Sequence, residues 1–396
     1  MKNTFVFAVQ GEGRGHLTQA IATYELLTSK GHVVKAVMVG SSSRREIPAF
    51  VRARIKAPII AYQSPNFVTD KNNKSINIGK TILHSIAKLK TFRQSIQSIK
   101  NVLREHNPDL LLNFYEPLIG MGSFSKPIHK NIVSVAHQFL YLHPEFQFPK
   151  GGSKSDAFAI KQYTKLTAKG SSKLIALSSY PLQQMVYKNI VVSPPLLRKE
   201  VFEQEIFDGN HILVYLLNSG YMQDIIDWNK SNPHVHLHCF TDSATVKGTW
   251  QFNDTLCFHS LDDQKFLRFM ANAKALVTTA GFESVCEAMY LGKPVLMVPV
   301  HGHFEQWCNS RDGVKAGAGT FADEFNLDVL LNYLPHHVNK SKEFAAWVLQ
   351  SEKILLNTLS EVLHEPMEEE TREEKANSFF QLPGILQNTQ QQLGHS

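Results

Sequence analysis

The sequence predicts an α/β fold in which two doubly wound, Rossmann-like domains face each other across a cleft. Its 396 residues, 43% of them hydrophobic, suffice for two cores of ordinary domain size and are too many for one α/β domain without large insertions. Strand-like apolar runs alternate with helical patterns in two series, and a segment without a clear period separates the series. A mainly parallel sheet covered by helices is therefore expected in each half.

The first series covers residues 1–190. Its strand-like and helical segments are Thr4–Val9, Leu17–Ser29, Val33–Val39, Ile47–Arg54, Ile78–His106, Asp109–Phe114, Ile132–Ala136, Phe158–Lys169 and Lys173–Leu177. Short apolar strands joined by helical crossovers indicate parallel pairing.

Residues 191–210 include Pro194 and Pro195 and are interpreted as a linker between the domains. The second series follows over residues 211–338. Its segments are His211–Leu217, Tyr221–Lys230, Val235–Phe240, Thr255–Phe258, Asp262–Ala271, Ala275–Thr278, Phe282–Leu291 and Pro294–Val298. A C-terminal helical segment is predicted over 339–365, and the Glu- and Gln-rich residues 366–396 are expected to be disordered.

The composition indicates a folded protein of a reducing compartment. The four cysteines are widely spaced and form no CxxC pair. The apolar stretch Phe5–Val9 is too short for a signal peptide, and no run approaches the ~20 apolar residues of a membrane span. We therefore expect a cytoplasmic protein, attached at most to the surface of a membrane.

The charges are distributed unevenly along the chain. Residues 1–200 hold 28 Lys and Arg against 10 Asp and Glu, a net charge of +18, whereas the remainder carries −12 within a total of +6. This asymmetry suggests that the two halves meet different partners.

The clearest functional motif is a predicted strand that ends at Thr278 and is followed by Gly281, where the next helix begins with Phe282. Backbone N–H groups at such a helix start, with Ser284 beside them, can bind a phosphate. Glu287 lies one turn deeper and can accept hydrogen bonds from ribose hydroxyls. An alternative interpretation is that this segment only caps the helix, with Glu283 complementing the helix dipole.

Further polar residues follow the next predicted strand. They are Glu305, Gln306 and Asn309. With these residues the pattern G-x-x-S-x-x-E, then G-K-P, then P-x-x-x-x-x-E-Q-x-x-N resembles the donor-binding region of the GT-B glycosyltransferases. Among these are the undecaprenyl-linked peptidoglycan N-acetylglucosaminyltransferase and the UDP-dependent small-molecule glycosyltransferases.

The resemblance implies a hexosyltransferase that takes a sugar from a nucleotide diphosphate, most closely a UDP-sugar. It implies that the second domain binds this donor, with Gly281, Phe282 and Ser284 at the diphosphate and Glu287 on the ribose. Glu305 and Gln306 would contact sugar hydroxyls, with Asn309 beside them.

A second glycine-rich segment, Gly11-Glu12-Gly13-Arg14-Gly15-His16, separates the first strand from the first helix. It departs from the dinucleotide fingerprint because His16 stands where the third glycine belongs, although an NADP enzyme stays open as the weaker reading. In the GT-B families this loop carries a His that faces the cleft, which implies that His16 is the base that deprotonates the acceptor, with Gly13 and Gly15 on the acceptor side. The alternative is a His that only caps the helix.

The sequence contains no Asp-x-Asp pair, so no metal site is predicted and the leaving group should be stabilised by the helix start after Gly281. Asn218 and Ser219 form a second candidate loop for phosphate. His259 and Leu261 lie where GT-B enzymes hold the nucleobase by backbone contacts. His234, His236 and His238 are interpreted as structural.

The acceptor is assigned to the first domain. His137 and Gln138 follow a predicted strand at the sheet edge where doubly wound folds bind ligands. The sequence is therefore interpreted as that of an enzyme that transfers a sugar to a hydroxyl without a metal ion or cofactor. The resemblance implies inversion at the anomeric carbon. Two alternatives stay open: a UDP-sugar 2-epimerase with Glu12 and Glu116 as acid and base, and a non-catalytic protein that binds nucleotide sugars.

One hypothesis is that the acceptor is reached from a membrane, because the predicted helix within 79–106 carries basic residues beside an apolar face. The basic set is Lys80, Lys88, Lys90, Arg93, Lys100 and Arg104, with Arg44, Arg45, Arg52, Arg54 and Lys56 nearby in sequence. One interpretation is a solvated face of a helix that covers the first sheet. The other is docking on anionic lipid by an enzyme with a lipid or lipid-linked acceptor. No nucleic-acid motif accompanies the charge.

Overall fold

The computed structural model describes residues 2–41, 47–65, 88–216, 219–243 and 245–364. Two sheets are present, both within one compact unit that spans residues 1–363. The predicted α/β architecture is confirmed. The predicted tail 366–396 lies outside the described residues.

The first sheet has eight strands in the order β3-β2-β1-β4-β5-β6-β8-β7. The strands are β1 (Thr4–Gln10), β2 (Val33–Ser41), β3 (Ile59–Gln63), β4 (Leu110–Phe114), β5 (Ile132–Ala136), β6 (Lys173–Leu177), β7 (Val186–Tyr187) and β8 (Ile190–Ser193). All pairs are parallel except β7 with β8. Every residue of β4 and β5 is buried, as expected for central strands with helices on both faces.

The second sheet has seven strands in the order β11-β12-β10-β9-β13-β14-β15. They are β9 (His211–Tyr215), β10 (His236–Thr241), β11 (Thr249–Gln251), β12 (Leu256–Ser260), β13 (Ala275–Thr278), β14 (Val295–Met297) and β15 (Gly319–Phe321). Only the edge strand β11 pairs antiparallel in this sheet.

The α-helices of the described residues alternate with these strands. They are α1 (Arg14–Ser29), α2 (Ala49–Arg54), α3 (Leu89–His106), α4 (Pro117–Gly122), α5 (Lys154–Ala168), α6 (Lys199–Phe202), α7 (Met222–Ser231), α8 (Asp263–Ala271), α9 (Phe282–Tyr290), α10 (Phe304–Ala316), α11 (Asp328–Tyr333), α12 (Ser341–Val348) and α13 (Ser351–His364). A 3₁₀ segment, His137–Leu142, directly follows β5. The sequence patterns missed this segment, the short α4 and the longer α10.

The C-terminal helices return to the first sheet. Leu355 and Leu359 of α13 belong to the same buried cluster as Phe5 and Val37 of β1 and β2. In addition, the Trp347 indole of α12 donates to the Ser178 carbonyl, just past β6, at 2.9 Å. The predicted helical segment 339–365 therefore packs against the half of the chain that begins at the N-terminus.

The winding direction of each sheet reverses beside its first strand. β1 lies between β2 and β4, and β9 lies between β10 and β13. The loops that leave neighbouring strands at such a reversal diverge to opposite faces, which opens a crevice at the carboxyl edge of the sheet. The loops after β1 and β13 begin α1 and α9, and both carry predicted site residues.

Candidate active site

The turn from β13 into α9 has an unusual backbone. Ala280 is buried and adopts a left-handed conformation, with φ of 61°, directly before the N-cap residue Gly281. A non-glycine residue in this region stores strain, which is common at functional sites. Gly281 makes no side-chain cap bond, and Ser284 Oγ instead donates to the Gly281 carbonyl at 3.3 Å. Within the described residues, no side chain therefore caps the first turn of α9.

His16 lies in the first turn of α1, close to α9. Its ring is 9% exposed and stacks on Tyr115 at the end of β4, with centroids 5.5 Å apart. Burial lowers the pKa of His16 to about 4, so the imidazole is neutral at physiological pH. The N-cap of α1 is Gly13, without a side-chain cap bond, and His16 Nδ1 contacts Gln19 Oε1 at 3.3 Å. His16 thus contacts Tyr115 and Gln19 and does not cap the helix.

Gln19 connects α1 to α9. Its Nε2 donates to Glu283 Oε1 at 2.6 Å. Burial raises the pKa of Glu283 to about 8, with Glu287 adding to the rise and the Gln19 bond and Arg198 opposing it. A Cβ on Gly15 would stand 3.2 Å from Glu283 Cγ, so the absent side chain lets the two helices approach this closely.

The predicted acceptor residue His137 contacts two predicted donor residues. The Phe282 ring stacks on the His137 ring with centroids 4.1 Å apart, and His137 Nε2 is 3.1 Å from Asn309 Oδ1. Asn309 Nδ2 in turn donates to the Ala280 carbonyl at 3.2 Å. His137 Nδ1 donates to the Leu177 carbonyl at 2.9 Å, so Nε2 of the neutral ring carries a lone pair and has no proton to donate to Asn309 Oδ1. Burial lowers the pKa of His137.

Gln138 makes a second contact of the same kind. Its Nε2 donates to Glu305 Oε1, in the first turn of α10, at 2.9 Å. Burial raises the pKa of Glu305 to about 7, and the Gln138 bond opposes the rise. The next residue, Gln306, accepts from the Val300 backbone N–H at 2.9 Å and so holds the loop before α10. The residues predicted for the acceptor and the donor therefore meet directly in this structure.

Glu287 is held by a residue that the sequence analysis did not identify. Both carboxylate oxygens accept from Arg198, at 2.7 and 3.1 Å, in a bidentate pair that is nearly buried. Arg198 lies in the predicted linker directly before α6 and also approaches Asp263 at 3.5 Å. No local motif marks Arg198, because the pair joins positions 89 residues apart.

The remaining donor candidates lie at the carboxyl ends of strands of the second sheet. His259 is on β12, and Leu261 follows that strand. Ser219 begins a short 3₁₀ turn after β9, and Asn218 lies outside the described residues.

His259 belongs to a histidine cluster in which His238, Cys257 and His259 have potential ligand atoms within 4.8 Å of one another. Lys265 Nζ lies 3.0 Å from His259 Nδ1, and His259 Nε2 lies 3.0 Å from His238 Nδ1. The ammonium group repels a cation, and both His259 nitrogens and His238 Nδ1 already have hydrogen-bond partners. This geometry fits the structural interpretation of His238 better than a metal centre.

Glu116, the carboxyl considered for an epimerase, is a structural cap. Its Oε1 accepts from Ser64 Oγ at 2.6 Å and from the Leu118 N–H at 3.0 Å. It is fully buried, and a Cβ on Gly40 would overlap its Oε2. Burial raises the pKa of Glu116 to about 7.

No helix among the described residues is long and apolar enough to cross a membrane. On α3, the side chains of Phe92, Ile99 and Leu103 are buried in a cluster with β1 and β4. The apolar face of this helix therefore covers the first sheet, and its basic residues Lys90 and Arg93 are exposed.

Arg54 of the predicted basic set is ion-paired with Glu25 and Glu200 and does not add to the exposed charge. Arg44, Arg45 and Lys80 lie outside the described residues.

Comparison with known proteins identifies the family and the fold of the chain. The model of glycosyl transferase family 1 matches residues 3–337. The comparison with curated proteins gives no match. Among solved structures, the chain is similar to a spinosyn forosaminyltransferase, with 11% identity, a TM-score of 0.57 and coverage of 92% of this chain and 100% of that one.

Two further structures show the same likeness. Phytolacca americana UGT2, complexed with UDP-2-fluoro-glucose and pterostilbene, has 11% identity and a TM-score of 0.55 over 91% of this chain and 94% of that one. The glycotransferase of kitacinnamycin has 14% identity and a TM-score of 0.54 over 91% of this chain and 97% of that one. At these identities the likeness concerns the fold, which is the predicted GT-B arrangement.

Proposed function

Because the chain belongs to glycosyl transferase family 1 and is a glycosyltransferase, we propose that it transfers a sugar from a UDP-sugar to a hydroxyl acceptor with inversion. The main support for this proposal is the contact between α1 and α9, which begin at the reversal points of the two sheets. This contact brings the neutral imidazole of His16 beside the uncapped start of α9. One helix can thus present a base to the acceptor while the other binds the diphosphate.

The proposed step is a direct displacement. His16 Nε2 takes the proton of the acceptor hydroxyl, and the acceptor oxygen forms a bond to the anomeric carbon. The bond between that carbon and the β-phosphate oxygen breaks, and its electron pair leaves with the nucleoside diphosphate. The N–H groups at the start of α9, with Ser284, stabilise the charge that develops on the phosphate. In this proposal the helix start supplies the positive field, without a metal ion or cofactor.

The chain after β8 supplies the other donor contacts. Arg198 fixes the Glu287 carboxylate, whose remaining lone pairs can accept from the ribose hydroxyls. Glu305 and Gln306 are proposed to bind the sugar hydroxyls, and the carboxyl end of β12 is proposed to bind the nucleobase. Phytolacca americana UGT2, which has the same fold, was determined with UDP-2-fluoro-glucose, and this supports UDP as the carrier.

Substrates must separate some of the contacts described above. The stacking of Phe282 on His137 and the Gln138–Glu305 bond occupy the space between the two predicted binding surfaces. We propose that the halves move apart to admit donor and acceptor and close over the bound substrates with α9 docked on α1 for the chemical step, and that the Phe282–His137 and Gln138–Glu305 contacts return after product release.

For the acceptor, we propose a lipid or lipid-linked hydroxyl reached at the cytoplasmic face of an anionic membrane. The net charge of +18 in residues 1–200 and the exposed Lys90, Arg93 and Arg104 of α3 support this choice. Since the apolar face of α3 is buried against the sheet, the attachment would be electrostatic and would not involve insertion of this helix.

The test of the donor is a thermal-shift screen with UDP-, GDP-, dTDP- and CMP-sugars, each with and without Mg²⁺. We expect UDP-sugars to raise the melting temperature equally in both conditions, because a ligand that binds the folded state stabilises it. A shift with another nucleotide alone would reject the UDP assignment. A shift that requires Mg²⁺ would reject the metal-independent step.

A further inference from the structure

Three buried polar side chains form a continuous chain from α1 to α9. His16 Nδ1 is 3.3 Å from Gln19 Oε1, and Gln19 Nε2 is 2.6 Å from Glu283 Oε1. The exposed fractions of His16, Gln19 and Glu283 are 9%, 2% and 9%. Buried polar groups without a partner are costly, so an arrangement that pairs these atoms is strongly preferred.

The direction of the hydrogen bonds follows from the amide. With Nε2 of Gln19 donating to Glu283, the amide oxygen faces His16, and an amide oxygen can only accept. His16 must therefore donate from Nδ1, which leaves the lone pair on Nε2. The stacked ring of Tyr115 fixes the plane of the imidazole.

We propose that Gln19 and Glu283 are positioning residues for His16: together they select the tautomer with a proton on Nδ1 and keep Nε2 available as the base. This inference rests on the proposed function insofar as His16 acts as the base. A base that a neighbouring group orients through its second nitrogen is a general device in nucleophile activation.

The chain of contacts also joins the two halves. His16 and Gln19 belong to α1, whereas Glu283 belongs to α9, the helix proposed to bind the diphosphate. The tight contact between Gly15 and Glu283 Cγ shows that the helices are in van der Waals contact at this place. The base is therefore oriented when α9 is docked on α1, and it loses this orientation when the halves separate.

A role for Glu283 in complementing the dipole of α9 does not account for these contacts. Such a role needs only a carboxylate near the helix start in solvent. Here the carboxyl is buried, Oε1 is directed to Gln19, and Oε2 has no hydrogen-bond partner among the described residues. Arg198, the nearby cation, is held in a bidentate pair by Glu287.

The proton inventory of the step is balanced. The acceptor proton goes to Nε2, which gives an imidazolium that keeps its Nδ1–H bond to Gln19 Oε1. The Gln19 amide orients the imidazolium and is itself neither protonated nor deprotonated. The ionised carboxylate of Glu283, present above its pKa of about 8, keeps the amide from turning, because a reversed Gln19 would bring its oxygen against the carboxylate oxygens. A reversed Gln19 would donate to Nδ1 and place the ring proton on Nε2.

The test is ¹⁵N NMR of the histidine rings in the full chain, since protonated and unprotonated ring nitrogens resonate in separate ranges. His16→Gln assigns the His16 signals by their loss. We expect the wild type to carry the proton on Nδ1 and Gln19→Leu to shift the ring toward the Nε2–H tautomer. If Gln19→Leu does not fold, Gln19→Met replaces it.

Gln138→Leu is the matched control, because it removes the other Gln–Glu bond between the halves without touching His16. Its His16 signals should equal those of the wild type. A wild-type ring with the proton on Nε2 would overturn the inference. Unchanged signals in Gln19→Leu would overturn it as well. An equal change in Gln138→Leu would also overturn it, because the tautomer would then depend on the contact between the halves in general and not on Gln19.

Kinetics provide a second measurement. Gln19→Leu should lower kcat about 10- to 100-fold with the donor KM within a few-fold, because one hydrogen bond that orients the base is lost. Glu283→Gln keeps an acceptor for Gln19 and should be less impaired than Glu283→Leu, and equal impairment would count against the positioning role.

If His16→Ala stays active while the NMR result holds, the proposed base is wrong and the tautomer assignment stands. If His16→Ala is inactive and Gln19→Leu leaves the ring unchanged, only the positioning role is wrong.

Discussion

His16 illustrates how burial would prepare the proposed base. An exposed imidazole is half protonated near neutral pH, whereas the buried His16 ring, with a pKa of about 4, stays neutral. The cost of charging a buried imidazole opposes proton uptake, and the proposed step offsets that cost through the Nδ1–H bond to Gln19.

We expect His16→Ala to lower turnover by ~10²- to 10⁴-fold and to leave donor affinity within a few-fold, because a general base acts on the transition state. Initial rates and calorimetric affinity should be measured on one preparation. Thr28→Ala, in the exposed last turn of α1, is the control and should behave as wild type. Full activity of His16→Ala would exclude the base assignment.

The pH profile gives an independent measurement of the same group. Because the pKa of His16 is lowered, the neutral form persists as the pH falls from 7 to about 5. The acid limb of kcat/KM should therefore lie near pH 4, below the 6.5 of an ordinary His. A limb near 6.5, in a pH range where circular dichroism shows a folded chain, would contradict a buried neutral base.

Glu287 is expected to have two functions, ribose binding and neutralisation of Arg198. Glu287→Ala should weaken UDP binding roughly 10- to 100-fold, because charge-assisted bonds are lost, and should also destabilise the fold by leaving a buried guanidinium unpaired. Calorimetry well below the melting temperature of the variant separates the two effects. Asp227→Ala, an exposed acid in the same half, is the control. Unchanged UDP affinity would reject the ribose assignment.

Glu116 predicts how stability depends on pH. Its folded pKa is raised from 4.5 to about 7, so the folded state retains a proton that the unfolded chain loses. Its contribution to stability is full below pH 4.5 and is lost as the pH rises towards 7, on the order of 3 kcal/mol in total. Glu116→Gln keeps the acceptor oxygen for Ser64 and Leu118. Its melting temperature should fall less than that of the wild type between pH 5 and 7.5, and parallel curves would contradict the raised pKa.

Among the elements, α13 packs against a part of the chain that is distant in sequence. Leu355 and Leu359 are buried with residues of the first sheet, although the helix follows the second sheet in sequence. An amphipathic pattern predicts the helix but does not specify the sheet that it covers.

We therefore expect Leu355→Ala to lower the free energy of unfolding by about 2–5 kcal/mol, through lost burial and a residual cavity. Leu349→Ala removes the same atoms from a side chain that is 77% exposed and should change stability by no more than about 0.5 kcal/mol. Urea denaturation of both variants is the measurement. Equal effects would mean that α13 does not pack on the first sheet in solution.

On the scale of the whole molecule, the charge asymmetry bears on the proposed attachment to an anionic membrane. Exposed basic residues of α3, together with Arg52 and Lys56, lie in the half that carries +18. Each basic residue near an anionic surface contributes about 1 kcal/mol, so several acting together give reversible attachment.

Sedimentation with liposomes tests this proposal. We expect the protein to pellet with anionic vesicles at low salt and to remain in the supernatant with neutral vesicles or at high salt. Charge reversal at Lys90, Arg93 and Arg104 together should reduce the pelleted fraction, whereas reversal of the acidic Asp224 and Asp227 on α7 should not. Equal recovery in the supernatant under all conditions would favour a soluble acceptor.

The sequence by itself determined the α/β architecture and the two helix starts that carry the proposed chemistry. Strand and helix periods, which reflect which side chains are buried, are local properties, and so are a glycine next to His16 and another three residues before Ser284. The tertiary structure decided which of these residues meet. Gln19 and Glu283 are 264 positions apart and Arg198 and Glu287 are 89 apart, and neither pair leaves a local signal in a single sequence. The close contact at Gly15 brings Gln19 to Glu283, and the segment before α6 brings Arg198 to Glu287, because only the packing of distant parts of the chain sets these distances.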